Sequence, residues 1–244
     1  MLSKKLEARR YGMRTFLLLS LAFAWAMAET MSINTPYRGK LYDEAKPFML
    51  ELFKRNGYML EYQQLPPKRG LINANSGVDD GDGPRVKEVG KKFLNLRRVD
   101  VPILEITIHA HYKDKDMKIT QWDDLKPYHV AVRTGTVIQV NNVKKVNPQE
   151  TTYVPTNEKL FELLEQEKVD VVIAERVMAR GMKKKLDLMH IYQSPVLLRK
   201  KMYLFFNKKH SDKIKTFEQT LLKMNEEGYQ KRFKHFYETG ESTW

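Results

Sequence analysis

The chain has 244 residues, 42% of them hydrophobic and 30% charged, with a formal charge of +13 and no cysteine. That length and balance fit one or two domains with real cores and exclude a disordered chain. The missing cysteines exclude disulfides, thiol catalysis and thiolate metal sites together.

Lys4, Lys5, Arg9, Arg10 and Arg14 precede an apolar run from Phe16 to Ala28, which closes on Ala26-Met27-Ala28. A basic start, a short apolar stretch and small residues two apart describe a secretory signal peptide over residues 1–28. A membrane-spanning helix needs about 20 apolar residues, more than this run supplies. Met13, followed by Arg14, offers an alternative start, and the exported chain is expected to begin near Glu29 and to work in a periplasm. With no cysteine, a lipoprotein anchor is not expected. Removing the segment takes away five cations and Glu7, which leaves +9. Elsewhere Lys and Arg are mixed with acids, as in Lys113-Asp114-Lys115-Asp116, and only Lys183-Lys184-Lys185 and Arg199-Lys200-Lys201 form runs. This is a solvated basic surface, and no nucleic-acid partner is expected.

From Tyr42 to Asn56, apolar residues at Ala45, Phe48, Met49, Leu52 and Phe53 predict a helix with one buried face. Pro47 fits only a first turn, so the predicted start is near Glu44, and Gly57 stands where a left-handed cap belongs. Tyr58 to Gln63 alternates and predicts a strand. Pro66-Pro67 breaks the chain before a short helix over Arg69 to Asn75. Residues 78–84 are too rich in breakers for more than a brief strand. The cluster Asp79, Asp80 and Asp82 lacks the pattern of a calcium loop and reads as a solvated turn. Val99 to Ile108 is apolar and β-branched, a strand. His109 and His111 share one face of it; two imidazoles without a third ligand favour a structural role, and no metal is expected.

A second unit starts after Lys118. Ile119 to Leu125 predicts a turn and a short helix, with Trp122 as a core anchor. His129 to Arg133 predicts a strand, and Thr134-Gly135-Thr136 a tight loop opening a helix. Thr156 caps a helix to about Glu167, with Leu160, Phe161, Leu163 and Leu164 as its stripe. Val169 to Ala174 has the continuous apolar pattern of a strand covered on both faces. Met202 to Asn207 is a further strand, followed by an amphipathic helix from Ile214 to Gly228 and a basic, aromatic segment from Tyr229 to Tyr237. Strands alternating with helices argue for an α/β architecture with mostly parallel sheet, in two units of about 80 residues each. Ligands of open α/β sheets sit at the carboxyl ends of strands, here in the cleft between two lobes.

Three stretches in order carry a family resemblance. Ala74 to Val86 resembles the first-lobe signature of bacterial extracellular solute-binding proteins of family 3, the polar amino-acid receptors of ABC importers. Ile119 to Lys126, then Val130 to Thr136, is similar to the second-lobe entry, and Val169 to Glu175 to a later strand ending in an acid. The resemblance spans residues 29–244 and implies a periplasmic binding protein type II fold, two lobes with a central cleft and hinge strands. It implies lobe 1 from 29–112 and 200–244, lobe 2 from 113–199, and crossings near Ala110–Asp114 and Pro195–Lys201.

The same resemblance implies the site. Gly135 and Thr136 match the loop that takes the ligand's carboxylate, where a helix start offers free N–H groups. Arg85 lies near a carboxylate-clamping arginine, although Gly83-Pro84 departs from the usual Ser/Thr-rich approach; a surface arginine is the alternative. Glu175 stands where the family commonly has an aspartate for the amino group, one methylene shorter, or else it is a strand-end acid paired with Arg176 or Arg180. Tyr37 matches an aromatic that covers the ligand, or is a core tyrosine. No cofactor is expected, and no catalytic constellation: there is no nucleophile elbow, triad or metal motif, and no length for a separate catalytic domain. The expected function is a monomeric, non-catalytic receptor for a small polar solute such as an amino acid, serving an inner-membrane ABC permease or a sensor. The alternative is a receptor-like interaction module that has lost solute binding.

Overall fold

The computed structural model describes residues 29–243; the signal-peptide reading of residues 1–28 lies outside the described residues. Strand β1 (Thr30–Thr35) lies between two parallel neighbours, β2 (Met59–Gln64) and β3 (Gly81–Val86). The short β4 (Leu96–Arg98) precedes the long β5 (Leu104–Tyr112). Next come β6 (His129–Arg133), β7 (Glu150–Val154) and β8 (Val171–Glu175), which are mutually parallel. The two-residue β9 (Tyr192–Gln193) leads into β10 (Leu198–Asn207). In space the order is β2-β1-β3-β10-β5-β8-β6-β7.

β5 joins the two halves of that order. Its residues 104–108 pair antiparallel with 198–202 of β10, and 108–112 pair with 171–175 of β8. Ile108 faces Leu198 on one edge and Glu175 on the other, so one hydrogen-bonded ladder runs through both halves of the molecule.

The helices are α1 (Lys40–Arg55), α2 (Pro67–Ser76), α3 (Val89–Lys92), α4 (Val137–Val146), α5 (Asn157–Glu165), α6 (Arg176–Lys185), α7 (Ile214–Glu226) and α8 (Tyr229–Thr239). They divide the apolar interior. One core draws on residues 31–106 and 202–237, where the rings of Phe53, Phe206 and Phe217 meet edge-on at 4.8 to 6.0 Å between centroids. Two further cores lie on opposite faces of β6 and β8: Val130, Val132, Val171 and Ile173 enter one, and Ala131, Val172 and Ala174 the other. The unbroken apolar run of β8 follows from this, because a strand covered on both faces has no polar position to alternate with.

Three expectations need correction. α1 begins at Lys40, a turn earlier than predicted, and Pro47 lies inside it. Gly39 at φ 56° turns the chain and Asp43 N–H donates to the Gly39 carbonyl at 3.0 Å. Ala45, Phe48, Met49, Leu52 and Phe53 are then fully buried, and that packing outweighs the roughly 3 kcal/mol cost of an internal proline. The strand expected over Val99 to Ile108 is displaced: residues 99–103 are a connection, and β5 runs on to Tyr112. The aspartate cluster is no solvated turn. Asp79 and Asp82 are buried, Asp79 accepts from Asn34 Nδ2 at 2.7 Å, and Asp80 accepts from Ser32 N–H at 2.9 Å and pairs with His210 at 2.7 Å.

Candidate functional site

β1 and β3 deliver two of the candidate residues at their carboxyl ends. Tyr37 follows β1, its N–H donating to Thr35 Oγ1 at 3.2 Å, and its ring packs on the first core. The hydroxyl is buried with no hydrogen-bond partner among the described residues. Burial raises the Tyr37 phenol well above its ordinary pKa; the nearby Glu175 carboxylate adds to this, and Arg85 opposes it. Tyr37, Glu175 and Arg85 therefore share one electrostatic neighbourhood, although they come from the loop after β1, from β8 and from β3.

Arg85 is no surface arginine: it is buried near the end of β3. Its Nε and Nη2 both donate to Asp82, the latter at 3.0 Å, and Nη2 also reaches the Pro67 carbonyl at 3.0 Å. Burial raises the Asp82 carboxyl, while Arg85 pulls it back. Gly70 in α2 leaves room for the pair, since a Cβ there would stand 2.6 Å from Asp82 Oδ2. Arg85 Nη1 keeps its two N–H groups without a described partner.

From the other half, β6 ends in Arg133 and β8 in Glu175. Their parallel register aligns Val132 with Ile173, so both carboxyl ends open on one edge. Gly135, at φ 85°, is exposed and has no atom within 4 Å of an added Cβ. Thr136 turns its hydroxyl back, Oγ1 donating to the Arg133 carbonyl at 2.6 Å, and α4 starts at the next residue. Arg133 Nε is buried without a partner among the described residues.

Glu175 accepts from Tyr237 Oη at 3.1 Å. Burial lifts its carboxyl to about 7, against the pull of the Tyr237 bond and the Arg133 charge. The arginines expected as its partners point elsewhere: Arg176 Nε donates to His109 Nε2 at 3.4 Å, and Arg180 donates to the Tyr237 and Phe236 carbonyls at 3.1 and 2.9 Å. Tyr237 Oη also accepts the Thr107 N–H at 2.8 Å, which ties α8 to β5 beside the site.

Sequence reasoning missed Asp82, Arg133 and Tyr237. Arg133 carried a signal, as the charged end of an apolar strand next to Gly135. Asp82, three residues before Arg85, carried one too. Tyr237 carried none, being one aromatic in a basic helix. His109 and His111 are fully buried on β5 with ring centroids 6.3 Å apart, and no group of metal ligands occurs among the described residues. Trp122 Nε1 donates to the Leu197 carbonyl at 2.9 Å and its ring packs on a core, as its anchoring role requires.

A β5–β10 crossing between two halves, each with its own packed cores, and candidate groups at strand carboxyl ends from both halves are the arrangement of the type II periplasmic-binding fold. Solved structures agree. An ancestral arginine-binding protein bound to arginine matches with a TM-score of 0.66 at 17% identity, covering 86% of this chain and 99% of that one. An amino acid ABC transporter substrate-binding protein, AbpA from Streptococcus pneumoniae, bound to L-arginine, matches at 0.62 and 17%, over 83% and 91%. Holo ArgBP from T. maritima matches at 0.60 and 19%, over 80% and 90%. An uncharacterized protein of Shewanella oneidensis is 23% identical over 184 residues, 73% of this chain and 69% of its own length. No family model matches the chain.

Proposed function

We propose that the protein is a non-catalytic solute receptor that closes over a small polar molecule carrying a carboxylate, an amino acid or close analogue. The observation that carries this is that Tyr37 Oη and Arg133 Nε are buried and unpartnered among the described residues, with the charges of Glu175 and Arg85 felt at Tyr37 and that of Arg133 felt at Glu175. Buried donors without acceptors cost about 1–3 kcal/mol each, and a ligand carboxylate relieves that cost. In this reading the carboxylate lies between Arg133, the free Nη1 of Arg85 and the N–H groups that start α4 after Gly135 and Thr136. Glu175 receives the amino group and Tyr37 covers the ligand. The arginine- and glutamine-bound neighbours of the same fold support an amino acid as the occupant.

The lobes of this reading are 29–112 with 200–244, and 113–199; the separate cores support two units, with Ile108, Ala110 and Tyr112 of β5 already packing in the second. Export to a periplasm rests on residues 1–28, and no helix among the described residues is long and apolar enough to cross a membrane. The receptor acts as a monomer and hands its solute to an inner-membrane ABC permease or a sensor. The test is a thermal-shift and calorimetric screen over the amino acids, arginine and glutamine included. A ligand at about 100 times its Kd should add about 2.7 kcal/mol of stability. A folded protein that responds to none of them sinks the receptor. It would favour the second reading, an interaction module without solute, for which the commitment of Arg85 to Asp82 is the motivating observation.

A further inference from the structure

A groove of about 510 Å³, lined by none of Tyr37, Arg85, Gly135, Thr136 and Glu175, lies between the first half of β5, the start of β10 and α8, and borders the candidate site at Tyr237. Five cations line it, Arg176, Arg199, Lys201, Lys231 and Lys234, against two carboxylates, Glu105 and Glu238. Both acids are already engaged: Arg199 pairs with Glu105 at 3.1 Å and Lys234 with Glu238 at 3.8 Å. Arg176, Lys201 and Lys231 have no acidic partner among the described residues. Arg176 has a single hydrogen bond, to a histidine that burial keeps below its ordinary pKa and that the charges of Arg176 and Arg199 hold lower still. Arg180, one turn on, is likewise lowered by burial and then by Arg176. The positive charge at this end of the groove is thus crowded and uncompensated. Ile103, Leu104 and Phe233 add apolar lining.

We propose that this groove is a second binding site, for a small organic polyanion whose carboxylate or phosphate oxygens bridge Arg176, Lys201 and Lys231. Its volume exceeds what an inorganic ion needs, and its mix of carbon wall and cationic rim suits a carbon body with several anionic ends. The position has a consequence. Arg176 opens α6 directly after Glu175, beyond the β5 crossing, whereas Lys201 and Lys231 belong to β10 and α8. An anion held by all three fastens the start of α6 to α8, so its affinity depends on how far the two halves have closed.

The experiment is calorimetric titration of the folded protein with citrate in one arm and pyrophosphate in the other, at constant ionic strength set with sodium chloride. Saturable binding in either arm is expected. It should weaken about tenfold or more in K201E/K231E and in R176Q. A control, K184E/K208E, makes the same charge change away from the groove and should leave affinity within about twofold. Circular dichroism checks that each variant is folded. Absence of saturable binding in both arms overturns the proposal. So does an equal loss in the control, which would make the effect one of net charge. The result stands independently of any amino acid, so failure here leaves the receptor reading untouched.

Discussion

In the proposed receptor, two arginines of the candidate site divide the work of holding an anion and of holding the fold. Arg85 neutralises a carboxylate with no exposure to water, so Arg85→Gln strands Asp82 in the interior; the expected loss is about 3–5 kcal/mol, read from urea unfolding. Asp82→Asn with Arg85→Gln should recover much of it, which a ligand-only role for Arg85 does not predict. Arg133 has a buried donor and no such partner, so Arg133→Gln should keep the melting temperature and weaken solute binding about tenfold or more. Glu175 adds a pH signature. Its carboxyl is raised from 4.5 to about 7 by burial. Below the lower value the group is neutral whether folded or not. Between the two, the unfolded chain gives up its proton first, so stability falls as pH rises, and above about 7 the deficit is constant at about 3 kcal/mol. Glu175→Gln should flatten that slope, and an unchanged pH profile would show that Glu175 ionises freely.

At the scale of elements, β3 is where local sequence misleads. Gly81, Gly83 and Pro84 are poor strand formers, yet β3 is central, between β1 and β10. The breakers are there because the neighbours come close. A Cβ on Gly81 would collide with the Phe205 carbonyl of β10 and stand 2.8 Å from Ile33 Cδ1. Gly81→Ala should therefore cost about 2 kcal/mol or more in denaturant unfolding, where the exposed Gly181, with open space around it, should gain slightly from the same change. Where the packing is periodic, the chain was readable: the Thr156 cap accepting Lys159 N–H at 3.1 Å, the Gly57 stop of α1 and the two-faced run of β8 all follow local rules. α6 and β7 escaped notice, because Lys183 to Lys185 mask the one fully buried helical position, Ala179, and Glu150 to Val154 buries only its last residue. The site was legible as strand ends and loops. Its couplings, Asp82 to Arg85 and Tyr237 to Glu175, were not: the first needs α2 to close over β3, and the second joins residues 62 apart across a crossing that no periodicity announces.

On the scale of the molecule, one ladder through β5 joins the two halves, and under the proposed closure it is the path along which they would bend. If the halves rotate, the β5–β10 crossing is the place for the bend, because the apolar interior is divided into separate cores around it. The links that exist gather at one place: Tyr237 to Glu175, and Arg180 to the carbonyl end of α8. Under the proposed closure, links this close to the crossing would change length little and would act as a stop for the hinge. Of the candidate groups, Glu175 sits at the crossing itself, opposite Ile108 of β5. A chain without cysteine is well placed to measure this, because two introduced thiols label cleanly. Lys68, at the start of α2, and Lys145, near the end of α4, are exposed and belong to opposite halves. Spin labels at K68C and K145C should give a distance distribution that shortens and narrows when a bound solute saturates the protein, and that broadens in the same pair carrying Arg180→Ala. An identical distribution with and without bound solute would mean that the β5 ladder holds the halves rigid, and that recognition happens without closure.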